Sequence, residues 1–222
     1  MTFRKRLQYL LVKRLNISNK SALMLILEGK ILVNGRILFE NIEIRLEDSV
    51  VFDGQILQEG KTFIYVTFYK PRGIETTLNQ AIQDNLKDIL PFEEDLFPVG
   101  RLDKESEGLL ILTNDGRTFD KTLRSENQTE KEYLVMVDKE ITEDFIRKMS
   151  EGVNILGKMT LSCQVEKIDS FSFKIILIQG MNRQIRRMCY KLNYEVLRLI
   201  RVRIGKVTLG DLQPSEFRYF KP

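Results

Sequence analysis

TLSCQVEKIDSFSFKIILIQGMNRQIRRMCYKLNYEVLRLIRVRI, residues 160–204, decides the fold class. It reads as two β-rich segments, Thr160 to Glu166 and Phe171 to Ile178, then a helix from Asn182 to Leu192, then a strand from Val196 to Ile204. Two adjacent strand runs before one helix are not a strict βα alternation. The expectation is therefore an α+β fold with a mostly antiparallel mixed sheet flanked by helices. Upstream, Phe63 to Tyr69, Leu109 to Leu112 and Tyr133 to Val137 read as further strands. Thr142 is placed to cap an amphipathic helix carrying Phe145, Ile146 and Met149.

The first 55 residues read as a separate compact module. Leu7, Leu10, Leu11 and Leu15 recur at helical spacing. Ser18 caps a second helix with Ala22, Leu25 and Ile26 inward and Gly29 at its end. Ile31 to Val33 is a strand followed by Asn34-Gly35, a type I′ hairpin signal, because both central positions need positive φ. A last strand, Ser49 to Phe52, ends at Asp53-Gly54. The polar stretch Gln58 to Lys61 is the expected domain boundary.

The formal charge of the 222 residues is only +4, but its distribution is uneven. From Met1 to Arg36 the bases include Arg4, Arg6, Lys20 and Lys30, against the single acid Glu28. From Arg183 to Lys206 there are eight bases against the single acid Glu195. Two Arg-rich blocks point to a polyanionic partner. The chain has no histidine, which removes every histidine-based mechanism, and its two cysteines, Cys163 and Cys189, make no metal spacing. No metal is expected. Two reduced thiols, no signal-peptide-like run and no segment of membrane-spanning length point to a cytoplasmic protein with no membrane partner.

Three segments are candidates for chemistry. In Val99 to Gly108 two glycines bracket a charged loop that feeds the apolar strand at Leu109, with Arg101 and Lys104 flanking Asp103. A carboxylate held this way suits a nucleophile or general base, with cations that lower its pKa and attract an anion. The competing reading is a solvated turn of alternating charge. In the Asn182–Leu192 helix, Ile185, Met188, Cys189 and Leu192 form one apolar face. Arg183, Arg186, Arg187 and Tyr190 form the opposite stripe, with Asn182 as the expected cap. That stripe faces phosphates, or is simply solvated. Lys131-Glu132-Tyr133 places a tyrosine at a strand start, either as packing or as a stacking platform for an extruded base.

Together these segments resemble the pseudouridine synthases that act on small- and large-subunit ribosomal RNA. Gly100-Arg101-Leu102-Asp103 followed by Gly108 to Gly116 resembles the family's catalytic motif. Lys131 to Val135 resembles its tyrosine motif, Gly180 to Cys189 its arginine motif, and Lys70-Pro71-Arg72-Gly73 its opening motif. Glu28 to Gly35 resembles part of an S4 RNA-binding domain. The resemblance implies an S4-like RNA-binding domain over residues 1–57 and a catalytic domain over 58–222. It implies isomerisation of a uridine: the N1–C1′ bond breaks, the uracil turns, and C5 bonds to C1′. That balance requires no cofactor. Asp103 is then the nucleophile, Arg186 its cationic partner, and Tyr133 the residue stacked on the flipped base.

Arg101, Lys104, Asn182, Arg183, Gln184 and Arg187 are the expected RNA contacts of the catalytic domain, with Arg101 also filling the gap left by the flipped base. Arg4, Arg6, Lys20 and Lys30 are the expected contacts of the first domain. The expected substrate is 23S-type ribosomal RNA first and transfer RNA second, and the default state is a monomer. Two rivals stand beside this reading. One is a non-catalytic S4-domain RNA-binding or ribosome-assembly protein. The other is a glycoside hydrolase pairing Asp103 with Glu105 or Glu107, a pairing that one short loop serves poorly.

Overall fold

The computed structural model describes residues 3–117 and 129–221. The chain forms two compact units, Met1–Phe63 and Ile64–Pro222. In the first, helices α1 (Leu7–Leu15) and α2 (Asn19–Leu27) accompany a four-stranded antiparallel sheet. Its strands are β1 (Ile31–Val33), β2 (Arg36–Leu38), β3 (Val50–Phe52) and β4 (Gln55–Gln58), in the order β2-β1-β3-β4. Leu7 and Leu11 of α1, Ala22 and Ile26 of α2, and Ile31, Val33, Val50 and Leu57 of the sheet make one core. The Ser18 hydroxyl accepts from the Ser21 N–H, as the capping pattern requires.

Asn34 and Gly35 have φ of 51° and 75°, the primed turn expected of that dipeptide. Asp53 and Gly54, at 48° and 73°, repeat it. The sequence reading stops the strands at Phe52; in fact Asp53-Gly54 turns the chain into β4. The expected boundary at Gln58 therefore begins inside a strand. A four-residue strand with only Leu57 buried carries too weak an alternation to show in the sequence.

The second unit is built on β5 (Tyr65–Lys70), β6 (Phe97–Val99), β7 (Glu107–Thr113), β8 (Lys131–Val137), β11 (Gln164–Lys167), β12 (Ser172–Leu177), β13 (Val196–Ile204), β14 (Val207–Thr208) and β15 (Phe217–Tyr219). The main path is β11-β12-β8-β13-β7-β5-β15, with β6 on β7 and β14 on β13. Among the strands of the described residues only the β13–β7 pair is parallel, with Arg201 opposite Gly108. The sheet is thus mixed and mostly antiparallel, as expected. A small hairpin, β9 (Asn154–Ile155) with β10 (Lys158–Met159), stands apart.

Helix α3 (Glu143–Glu151) is capped by the Thr142 hydroxyl, which accepts from the Phe145 N–H. It buries Phe145 and Met149 against Phe173 and Ile175 of β12, and each large side chain removed from water contributes about 1.5–3 kcal/mol. Helix α4 (Gln184–Lys191) buries Ile185, Met188 and Cys189 in the same core, the apolar face read from spacing. Strand β7 is buried at every position. Leu109 and Ile111 join one cluster and Leu110 and Leu112 another, so both faces of the strand are covered. This is why it reads as an unbroken apolar run. Among the described residues no helix is long and apolar enough to cross a membrane.

Candidate active site

The β6–β7 connection carries Asp103 at the edge of a cleft of about 670 Å³. Gly100 and Gly108, with φ of 85° and 104°, let the chain turn sharply at both ends of this loop. The loop is then held by its backbone carbonyls. The Thr76 hydroxyl donates to the Leu102 carbonyl at 2.6 Å, and the Leu102 N–H donates back to that hydroxyl at 3.1 Å. The Gly73 N–H holds the Lys104 carbonyl at 2.8 Å. Arg186 Nη2 donates to the Glu105 carbonyl at 2.9 Å, and its Nη1 holds the Val196 carbonyl at 3.0 Å.

The cleft is lined by five cations, Arg101, Lys131, Arg183, Arg186 and Arg201, and by one acid, Asp103. Tyr133 lines it from β8, and Gln179 and Gln184 from the α4 side. Burial pulls the Arg186 guanidinium below its ordinary value and neighbouring Arg183 adds to this, while the charges of Glu105 and Asp103 oppose it. Burial likewise lowers Lys131, with Arg201 reinforcing it. Beneath the loop Lys70 is wholly buried; desolvation pushes its ammonium down to about 8, against the pull of Glu75, Glu107 and Asp103. Its Nζ donates to the Pro71 and Ile74 carbonyls at 2.9 and 2.7 Å.

The other two loop acids are engaged elsewhere. Glu105 forms a 2.6 Å ion pair with Arg183. Glu107 is buried, takes Arg198 Nε at 2.7 Å and accepts from the Tyr69 hydroxyl at 2.9 Å. Burial works against the Glu107 charge, but those two partners outweigh it and hold its carboxyl below the ordinary value. The same contact, on top of burial, pushes the Tyr69 hydroxyl up to about 12.

Several sequence expectations change here. Asn182 does not cap α4: Arg183, at φ 52°, occupies the cap position without a side-chain bond. Asn182 instead accepts from Arg187 through both its carbonyl and its Oδ1. Arg186 is not a free member of an exposed stripe, since it is half-buried against the loop. Lys104 does not turn towards Asp103 but pairs with Asp84 at 3.0 Å. Gln184 is buried, its Oε1 accepting from the Met181 N–H. Arg101 is exposed. In the first unit Arg4, Lys20 and Lys30 are exposed, whereas Arg6 holds the Asn41 carbonyl at 2.6 Å. Thr76, Lys131 and Arg201 were missed; Arg201 is 3% exposed, although sequence places it within a basic block. Both cysteines are free thiols. No group of three His, Cys, Asp or Glu able to hold a metal occurs among the described residues.

Most of this geometry, Asp103, Tyr133 and Arg186 included, lies in the part of the chain that matches a known family. Residues 64–191 match the family described as RNA pseudouridylate synthase. The chain belongs to that family. It is 43% identical to the dual-specificity RNA pseudouridine synthase RluF of Escherichia coli (strain K12), over 90% of this chain and 70% of that one. It is 30% identical to an uncharacterized RNA pseudouridine synthase of Aquifex aeolicus (strain VF5), over 96% and 91%. A crystal structure of a pseudouridylate synthase shares the fold, with a TM-score of 0.67 at 24% identity, covering 97% of this chain and 96% of that one. The α+β architecture read from residues 160–204 is thus shared with a solved pseudouridylate synthase.

Proposed function

We propose that the enzyme isomerises a specific uridine of 23S-type ribosomal RNA to pseudouridine, with transfer RNA as a second substrate class, and that Asp103 is its nucleophile. The observation that carries this is the single carboxylate among five cations in one cleft. A carboxylate can act as a nucleophile, and Arg101 and Arg183 beside it draw in the RNA backbone. Arg186 is the partner, because it touches the Asp103 loop and feels the Asp103 charge. Tyr133, which lines the cleft, serves as the platform for the flipped uracil. Arg101, exposed at the loop start, is the residue to enter the stack that the base leaves. Flipping costs a few kcal/mol, which contacts from Arg183 and Arg187 to phosphates can supply.

The relatives' names favour ribosomal RNA. Beside the dual-specificity relative stand a ribosomal large subunit pseudouridine synthase E of Vibrio parahaemolyticus, 36% identical over 60% of this chain and 63% of that one, and a ribosomal large subunit pseudouridine synthase B of Bacillus subtilis, 27% identical over 98% and 93%. The first unit serves as an S4-like RNA-binding domain, and the protein works in the cytoplasm as a monomer. A glycoside hydrolase would need a second carboxylate across the sugar; Glu105 and Glu107 are instead ion-paired with Arg183 and Arg198.

The test is a map of pseudouridines in ribosomal and transfer RNA from cells lacking the protein, restored with wild type or Asp103→Asn. The expected result is one site that vanishes, returns with wild type and stays absent with the variant, while the variant keeps its RNA affinity. No lost site in any RNA would sink the enzymatic reading in favour of a non-catalytic binder.

A further inference from the structure

Among the described residues Arg201 is a buried cation with no acid beside it. It lies mid-sheet on β13, opposite Gly108 of β7 on one side and opposite Tyr133 of β8 on the other. The missing side chain of Gly108 is what admits it so closely: a Cβ there would fall 2.4 Å from the Arg201 carbonyl oxygen. The guanidinium donates through Nε to the Leu109 carbonyl at 2.8 Å and through Nη1 to the Arg101 carbonyl at 3.3 Å. Those two carbonyls bracket the loop that carries Asp103. The third nitrogen, Nη2, is buried with no hydrogen-bond partner. An uncompensated buried charge is costly and is retained where it serves a function.

We propose that Arg201 is a positioning residue of the reaction, one that locks the Asp103 loop and the Tyr133 side chain into a single geometry from beneath the cleft. The role rests on the functional reading above. Only an arginine supplies it: the planar fork reaches both ends of the loop and still leaves one donor unpaired, on a residue that lies opposite Tyr133, whereas a lysine offers a point charge. Burial pulls the guanidinium below its ordinary value, and the neighbouring Tyr133 pushes the other way, so the two side chains feel one another.

The experiment measures single-turnover rates and RNA dissociation constants for wild type, Arg201→Lys, Tyr133→Phe and the double variant. The substrate is an RNA fragment carrying the uridine that wild type converts. Arg201→Lys is expected to slow the reaction about 100-fold, the scale of a small misplacement of reacting groups, with RNA affinity unchanged. Because Arg201 acts through Tyr133, the double variant is expected to be within about twofold of the slower single variant, well short of the product of the two losses.

Multiplied losses, a parallel loss of RNA affinity, or a wild-type rate in Arg201→Lys would each overturn the proposal. Thermal unfolding checks that the variants are folded. If lysine is not tolerated in the buried slot, Arg201→Gln takes its place, and a rate loss that only tracks the unfolded fraction counts against the role. Absence of wild-type turnover on every RNA would overturn the functional reading and this role with it, whereas a defect-free Arg201 variant in an active enzyme overturns this role alone.

Discussion

Replacing Gly108 by alanine tests the close backbone approach between β7 and β13. The new Cβ would sit 2.4 Å from the Arg201 carbonyl oxygen, 2.8 Å from the Arg201 nitrogen and 3.0 Å from Ile200 Cγ2. Two of these neighbours are backbone atoms of the paired strand and have no rotamer to swing away. Gly108 also has φ of 104°, where an alanine costs about 1–3 kcal/mol in strain. Forcing an extra carbon into a packed position costs a further ~1–3 kcal/mol. The sum centres near 4 kcal/mol, which for a unit of this size lowers the melting temperature by roughly 10 °C.

Gly157 supplies the control. Its φ is 75°, yet a Cβ there would meet nothing within 4 Å, so Gly157→Ala carries strain alone. Calorimetry of both variants should show a small shift for Gly157→Ala and about twice that shift for Gly108→Ala. Equal shifts would refute the reasoning, because they would mean that the β7–β13 ladder relaxes around the methyl group without cost.

Two further expectations concern stability. Arg117 beside Asp115, helped by the Tyr65 hydroxyl at 2.6 Å, holds the Asp115 carboxyl at about 2 instead of 3.8. A lowered carboxyl stabilises the fold above its ordinary value and loses that contribution as pH falls through the folded one. Urea midpoints should therefore drop between about pH 4 and pH 2, and drop less in Asp115→Asn; an unchanged acid slope in the variant would assign the loss elsewhere. Thr142→Ala removes the acceptor for the Phe145 N–H at the start of α3 and should cost about 1 kcal/mol by denaturant unfolding, with Thr142→Ser near wild type.

What the sequence made legible was local. Strand β1 and strand β13 lie where alternation and β-branched content put them, from Ile31 to Val33 and from Val196 to Ile204. Ser18 and Thr142 cap their helices because a hydroxyl, a spacing of three and a free N–H suffice to define a cap. The Asp103 loop was visible because two glycines bracket a charge cluster ahead of an apolar strand. Short edge elements such as β4, β9 and β10 were not, since two to four residues give no period to read. Nor were the partners of long polar side chains. Whether Lys104 reaches Asp103 or Asp84, and whether Arg186 faces solvent or the loop, is decided by residues about 20 and 81 positions away. Arg201 is the extreme case: in the sequence it is one of eight bases in a block, and only the sheet register places it inside.

Chain-order timing gives the β13–β7 pairing a consequence for synthesis. Leu109 leaves the ribosome long before the residue that holds its carbonyl, since 92 positions separate it from Arg201. At 5–20 residues per second that gap lasts about 5–20 s. Through most of it the Asp103 loop lacks both its arginine staples, Arg186 and Arg201, and β7 lacks its parallel neighbour. A nascent chain therefore carries its carboxylate without a working site. Competence arrives late and all at once, when β13 inserts between β7 and β8.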